Sequence, residues 1–303
     1  MACVREMRFS SSLRLRDENI YADKNDIQLS QFEKVLSMVC GGGPTREVII
    51  RTLVDALEPL EYVHAFWEAG AVAFNRVDEW SDIDLYLVVD DDKVEECFGI
   101  FEDALKSLSP LKQKYEVRHP PESALFQAFY KLKGASEYLV IDLAVFKLSS
   151  PDKFLEPEIH GSAAFYFNKS DKIKPPHLGK SAFAEKLQKR LERVKARFDM
   201  FNIFVQKEIN RGNYLEALEF YRVVTLASLV EVLRIRHHPV HHDFRMRYIH
   251  YELPSETVER LEHLHFVENK KDLHEKYHRA TRWFHKTLAG IDQKEIKRQL
   301  GTP

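Results

Sequence analysis

Apolar residues recur with two different periods along the chain, and the change of period divides the sequence into two parts. Up to about residue 150, short apolar runs of the β-strand type alternate with helical patterns. Apolar residues three or four positions apart predict a helix over residues 45–57, and strands are predicted over 62–67 and 82–89. The second strand is apolar on both faces beyond Asp84, which is typical of a central strand.

The first part continues with a further helix and a hairpin. Residues 93–108 have helical periodicity, and the apolar runs 125–132 and 138–146 flank Gly134, which predicts two paired strands. Four prolines between residues 151 and 176 then indicate a connecting segment.

After about residue 180, every predicted element is a helix. These helices are predicted over residues 182–209, 214–235, 255–267 and 273–288. We therefore expect an α/β protein with a small mixed β-sheet domain at 44–150, a connector at 151–178 and an all-α helical bundle at 179–303. Residues 1–43 are predicted to be an N-terminal extension with a short helix over 27–39, ended by three glycines.

Composition narrows the class of protein. The chain has 303 residues, of which 44% are hydrophobic, and this fraction excludes wholesale disorder. No apolar run approaches the ~18 residues of a membrane span, and the first thirty residues lack the apolar core of a signal peptide. Three scattered cysteines fit neither a disulfide framework nor a four-ligand zinc site. We expect a soluble cytoplasmic protein that does not bind membranes.

The net charge of −2 conceals an uneven distribution. From residue 180 onward, 24 Lys and Arg oppose 17 Asp and Glu, and ten of the 14 His lie in the same part. A solvated basic surface explains this excess better than a nucleic-acid footprint, although nucleic acid stays open as a partner.

Two carboxylates stand at the start of the predicted central strand. Alternate side chains of a strand share a face, so Asp82 and Asp84 project together while Ile83 and Leu85 point into the core. Two carboxylates on one face repel each other and lose solvation, which is costly unless a cation lies between them. Oxygen ligands of this kind suit Mg²⁺.

A third carboxylate, Asp142, is the only charge within the apolar run 139–145. If the strand that carries it lies beside the first, Asp142 faces the same metal positions. Three carboxylates around two metal ions suit an in-line displacement at phosphorus. Core strands disfavour an isolated Asp, so the combination indicates a functional site rather than packing.

These residues resemble the nucleotidyltransferase superfamily that includes DNA polymerase beta. The likeness is greatest to its small-molecule branch, with the aminoglycoside and lincosamide adenylyltransferases and the minimal nucleotidyltransferases. The turn that starts at Gly70, the Ser-Asp-Ile-Asp-Leu strand and the later Asp142 carry the resemblance, which covers about residues 45–146. It implies a short mixed sheet, a helical C-terminal domain and Mg²⁺-dependent transfer of a nucleoside monophosphate from ATP or another NTP to a hydroxyl, with release of pyrophosphate.

The resemblance also implies roles for single residues. Asp82 and Asp84 correspond to paired ligands of two Mg²⁺ ions, and Asp142 to the third carboxylate, which holds a metal and helps to deprotonate the acceptor hydroxyl. Gly70 and Ala71 correspond to the turn whose amides hold the terminal phosphates of the NTP at the start of a helix.

Two further positions belong to the predicted phosphate pocket. Ser81 would help to shape it. The family usually has Gly-Ser or Gly-Gly where this chain has Gly70-Ala71, and its following Arg-Gly is replaced by Phe74-Asn75, with Arg76 next. Arg76 either supplies the displaced charge or is a surface residue.

Alternatives from other classes stay open. The first is a nucleotide-binding regulatory or antitoxin-like module without turnover. The second is a zinc protease through His274, Glu275 and His278, which match H-E-x-x-H, with Glu295 as a third ligand. The histidines at 237–242 form a loop that either binds a metal or, as we favour, binds phosphate or solvates a helix end. Trp80 either stacks on a base or packs under the sheet. The acceptor, preferably a small molecule, and the oligomeric state are not specified by the sequence.

Overall fold

A computed structural model describes residues 43–119 and 124–301. The helix predicted over 27–39, and nearly all of the N-terminal extension, lie outside these residues. The strands are β1 (Val63–Glu68), β2 (Ile83–Val89), β3 (Leu111–Val117), β4 (Leu125–Leu132), β5 (Ile141–Lys147) and β6 (Ala164–Asn168). The α-helices are α1 (Arg46–Leu57), α2 (Gly70–Ala73), α3 (Val94–Leu108), α4 (Pro157–His160), α5 (Lys180–Phe201), α6 (Ile203–Arg211), α7 (Tyr214–Phe220), α8 (Ala227–His237), α9 (Ile249–Glu252), α10 (Ser255–His265), α11 (Lys270–Ala289) and α12 (Gln293–Gln299).

The six strands form one mixed sheet in the order β3-β4-β5-β2-β1-β6. The pairs β3–β4, β4–β5 and β1–β6 are antiparallel, which confirms the predicted hairpin of β4 and β5. β2 and β5 run parallel, because the Ile83 amide donates to Val140 O at 2.9 Å and the Leu148 amide donates to Val89 O at 2.8 Å. The α/β class and the interior position of β2 are confirmed.

The described chain forms two compact units. The first contains residues 43–63, 80–83 and 88–148, and the second contains residues 64–79, 84–87 and 149–301. Our domain boundaries at residues 150 and 178 stay predictions. Between them the chain forms α4 and β6, and the latter pairs with β1.

The helices that follow residue 180 share one apolar core. Phe198 of α5 stacks on Phe284 of α11 with ring centroids 3.6 Å apart, and both side chains are fully buried. The single helix predicted over 182–209 is divided at Asn202, whose buried amide accepts a hydrogen bond from Thr225 and donates one to Thr281. Residues 221–226 form a π-helical stretch within the second predicted helix. No helix in the described ranges has both the length and the apolar character needed to cross a bilayer.

Candidate active site

Gly70 and Asp84 are packed against each other where β1 leads into α2. The Ala69 amide donates to Asp84 O at 2.9 Å. Gly70 has a φ of +57°, a conformation that favours glycine, and a Cβ on it would lie 1.6 Å from Asp84 Oδ2. This position therefore requires glycine for two reasons: its backbone has a positive φ, and the carboxylate of Asp84 occupies the place of a Cβ atom.

Asp82 lies immediately before β2 and is exposed. Its Oδ1 accepts a hydrogen bond of 3.3 Å from the Val140 amide, and its backbone oxygen accepts one of 2.8 Å from Arg46 Nη1. The carboxylate is thus fixed against the segment that leads into β5 and remains open to solvent.

Asp142 is the second residue of β5 and is half-buried. The amide of Gln127, on the neighbouring strand β4, donates to both carboxylate oxygens at 2.8 and 3.0 Å. A neutral donor orients the carboxylate without adding a positive charge. Gln127 was not among the predicted site residues, although it is a polar residue within an otherwise largely apolar strand.

The predicted phosphate turn is short. α2 is a single turn from Gly70 to Ala73, so a phosphate there would meet individual amides rather than the dipole of a long helix. Ala71 and Ser81 are both half-buried. The Ser162 amide, next to Gly161, donates to Ala73 O at 2.9 Å, which anchors the end of this turn.

Arg76 is neither a free cation nor a surface residue. Its side chain is 19% exposed, and Nη1 pairs with Glu252 Oε1 at 3.1 Å. The guanidinium carbon lies 5.1, 4.7 and 4.8 Å from the ring centroids of Phe74, Tyr248 and Tyr251. Such a setting binds the guanidinium by charge and by cation–π attraction together.

Glu252 is the centre of a buried charge network. Its side chain is 1% exposed, and Arg234, which is fully buried, donates to Oε2 at 2.7 Å. The Arg234 Nε also donates to Arg245 O at 2.6 Å. Burial alone would favour the neutral acid, but hydrogen bonds from Arg234 and Arg76 and the closeness of His241 hold the pKa of Glu252 below its usual value. Arg234 was not predicted, although it is a lone cation among buried apolar residues of α8.

A further cation, Arg247, belongs to the surroundings of Asp84. Its guanidinium carbon lies 4.9 Å from the Tyr248 ring centroid and 5.4 Å from that of Phe244. Partial burial opposes its charge, but the Tyr248 hydroxyl and the Asp84 carboxylate raise the pKa of Arg247 above its usual value. The guanidinium of Arg247 is always charged, and although it is partly covered, the residue remains accessible to solvent.

Trp80 does not pack under the sheet. Its side chain is 59% exposed and lies edge-on to Tyr138, which is 56% exposed, with ring centroids 4.9 Å apart. Trp80 is two residues before Asp82, and the exposed rings of Trp80 and Tyr138 together offer a surface on which a planar ring can stack.

The two histidine motifs differ in structure. His274 is half-buried and His278 is exposed, with Nε2 atoms 3.1 Å apart. Within residues 43–119 and 124–301, no further ligand completes a three-residue metal group with them. Glu295, the predicted third ligand, pairs instead with Arg298. In the loop of histidines at 237–242, His241 is 2% exposed, so its ring is enclosed by the protein.

Comparison with solved structures finds similar chains at low sequence identity. An aminoglycoside 6-adenyltransferase from Bacillus subtilis has 12% identity and a TM-score of 0.31, over 86% of this chain and 93% of that one. A STING-associated c-di-GMP synthase from Capnocytophaga granulosa has 14% identity and a TM-score of 0.28, over 86% of this chain and 83% of that one. No family model and no curated protein matches the chain. At these values the likeness assigns no role to any residue.

Proposed function

We propose that the protein is a Mg²⁺-dependent nucleotidyltransferase. It moves a nucleoside monophosphate, AMP from ATP in the first instance, onto a hydroxyl of a small-molecule acceptor such as an aminoglycoside-like compound, and it releases pyrophosphate. The observation that carries the proposal is the packing of Gly70 against Asp84. It sets the amides of a tight turn beside a carboxylate, and a metal-bound triphosphate needs both.

The donor set suits Mg²⁺. Asp84 and Asp142 are the second residues of β2 and β5, which are neighbouring parallel strands, and Asp82 lies two positions before Asp84. All three offer hard carboxylate oxygens, and none is fully buried. When bound, Mg²⁺ would neutralise phosphate charge and lower the pKa of the acceptor hydroxyl.

Side chains and backbone amides of the protein would bind the substrates and accept the proton. The amides of Gly70 and Ala71 would bind the terminal phosphates, Ser81, next to Asp82 in the sequence, would help to shape the phosphate pocket, and Trp80 would stack on the base. Asp142, oriented by Gln127, would accept the proton of the acceptor hydroxyl. The hydroxyl oxygen then forms a bond to the α-phosphorus while the bond from that phosphorus to the bridging oxygen breaks, and pyrophosphate leaves with the electron pair.

The test is an assay of pyrophosphate release with each of the four NTPs, Mg²⁺ and a panel of aminoglycoside-like and other polyhydroxyl acceptors. We expect release with at least one pair of substrates, and a loss of about 10³-fold in Asp84→Asn. Asp103→Asn is the matched control, because Asp103 is a 79% exposed carboxylate on α3 outside the proposed site. It should behave like the wild type.

The same assay separates the alternatives. An NTP that binds without any release of pyrophosphate would favour the regulatory module. Equal turnover by the wild type and by Asp84→Asn would refute the role of this carboxylate.

A further inference from the structure

The loop that follows α8 brings three metal-ligating side chains together. His238 and His241 lie in this loop, and Glu252 is the last residue of α9. One ligand atom from each residue lies within 4.8 Å of the other two. No role in nucleotidyl transfer is assigned to these residues, so the group needs its own explanation.

The hydrogen bonds of His241 determine which of its nitrogens has a lone pair to offer. Nε2 lies 2.7 Å from Ile159 O. A carbonyl oxygen can only accept, so Nε2 carries the proton. In the neutral ring, Nδ1 then presents its lone pair to Glu252 Oε1, which is 2.9 Å away.

Two lone pairs at this distance repel each other unless a cation lies between them. A second proton on His241 is one such cation, and a metal ion is the other. A histidine that donates one ring N–H to a backbone carbonyl and turns the other nitrogen towards a cation has the arrangement typical of a metal ligand.

His238 supplies the observation that favours a metal ion. Its ring stacks on that of His241, with centroids 4.3 Å apart and planes inclined by 19°. Its Nδ1 is buried and has no hydrogen-bond partner among the described residues. A proton shared by His241 and Glu252 gives His238 no partner, whereas a metal ion held by all three side chains would use one nitrogen of each ring, with the two rings tilted out of their stacked arrangement.

The charges around the group indicate which kind of metal it suits. Arg234 and Arg76 donate to the Glu252 oxygens and orient the carboxylate, but their positive charges oppose a divalent cation. The two imidazoles must therefore supply much of the binding, and imidazole favours Zn²⁺ and its neighbours in the transition series over Mg²⁺. Two His and one Glu are a known ligand set for zinc.

We propose that His238, His241 and Glu252 form a binding site for a divalent transition-metal ion of the zinc class. The ion would fasten the 238–241 loop to the end of α9 and, through the bond from His241 to Ile159 O, to α4. This site is independent of the proposed Mg²⁺ site and of the proposed reaction.

The experiment uses the full chain, stripped with a chelator and then titrated with Zn²⁺ and Co²⁺. Because the neighbouring pair His274 and His278 can itself bind metal, the reference protein carries His274→Gln and His278→Gln. Calorimetry should give one Zn²⁺ per chain in this reference, Co²⁺ should give the visible absorption of a low-symmetry site, and Zn²⁺ should raise Tm. A large excess of Mg²⁺ should not compete.

Substitution of His238 is the decisive change, because that side chain is only partly buried and forms no described hydrogen bond that the fold would lose. His238→Gln and His238→Ala, each added to the reference, should bind Zn²⁺ at least 10-fold more weakly, while circular dichroism without metal stays unchanged. The proposal is overturned if the reference protein binds no Zn²⁺, in which case a proton is the shared cation. It is equally overturned if both His238 variants bind Zn²⁺ as tightly as the reference.

Discussion

Charged side chains are held in opposite ways by the strands and by the helices of this protein. Asp82 is exposed, and Asp84 and Asp142 are half-buried at the starts of β2 and β5. In the helical part, Arg234 and Glu252 are 0% and 1% exposed and pair at 2.7 Å. A buried ion pair stabilises one arrangement of the chain, and a metal ion on Glu252 would stabilise that same arrangement, whereas carboxylates that solvent reaches can accept a cation that takes part in a reaction. The comparison therefore separates charges that serve the fold from charges that suit a ligand.

Asp142→Asn should have the largest effect on activity and almost none on stability. The substitution keeps the shape of the side chain but removes its charge and its ability to accept a proton. We expect a loss of about 10³-fold in kcat, with Tm within about 1 °C of the wild type. Asp103→Asn is again the control. A variant that keeps its turnover would show that Asp142 belongs with the structural charges.

Arg234→Met should show the reverse pattern, with a large effect on stability. It leaves Glu252 buried beside fewer cations, and removing one partner of a buried pair typically costs about 3–5 kcal/mol. Urea unfolding measures the change in the free energy of unfolding. Arg298→Met is the matched control: Arg298 is 70% exposed and also pairs with a glutamate, so its loss should lower the free energy of unfolding far less than the loss of Arg234. Equal costs for the two variants would contradict the comparison.

Gly70→Ala should reduce activity by an intermediate amount, about 10- to 100-fold in kcat/KM. The new Cβ would meet Asp84 Oδ2, so the carboxylate must move. Gly212→Ala controls for backbone strain, because Gly212 also has a positive φ, of +80°, but has open space around its Cβ position. It should lose stability without losing activity. If both variants lost activity equally, strain and not displacement of Asp84 would be the cause.

Trp80→Ala should have the smallest effect of the four. Stacking of a base on an aromatic ring contributes about 1–3 kcal/mol, and an exposed ring such as Trp80 belongs at the lower end of that range, so we expect KM for the NTP to rise by about 5-fold while kcat changes little. Phe266→Ala removes another exposed aromatic ring, which is 75% exposed and lies in the helical part. It should leave KM unchanged. A fall in kcat without a change in KM would contradict the stacking role.

The elements that the sequence predicted well are those with an apolar face. The bounds of β2 and α1 were each predicted to within one residue. Both elements bury one or more faces, so their apolar residues recur at the regular spacing of a strand or of a helix. β3 was missed because five of its seven residues are exposed, as suits an edge strand whose charged side chains discourage pairing with other chains. β6 was missed because it lies among prolines, although it is the opposite edge of the same sheet.

The site was predictable only where its residues share a local pattern. The spacing of Asp82 and Asp84, and the isolated Asp142, can be recognised along the chain. The pairing of Arg76 with Glu252 joins residues 176 positions apart, and nothing in either local sequence indicates the other. Gln127 meets Asp142 only because β4 and β5 are paired, so its role depends on register rather than on sequence.

Binding of Mn²⁺ together with a non-hydrolysable NTP analogue tests the account most directly, because it requires no knowledge of the acceptor. Electron paramagnetic resonance and calorimetry should show Mn²⁺-dependent binding of the analogue to the wild type and to Asp103→Asn. In Asp84→Asn, binding should be at least 10-fold weaker. Identical binding by Asp84→Asn and the wild type would contradict the claim that these carboxylates hold the catalytic metal ions.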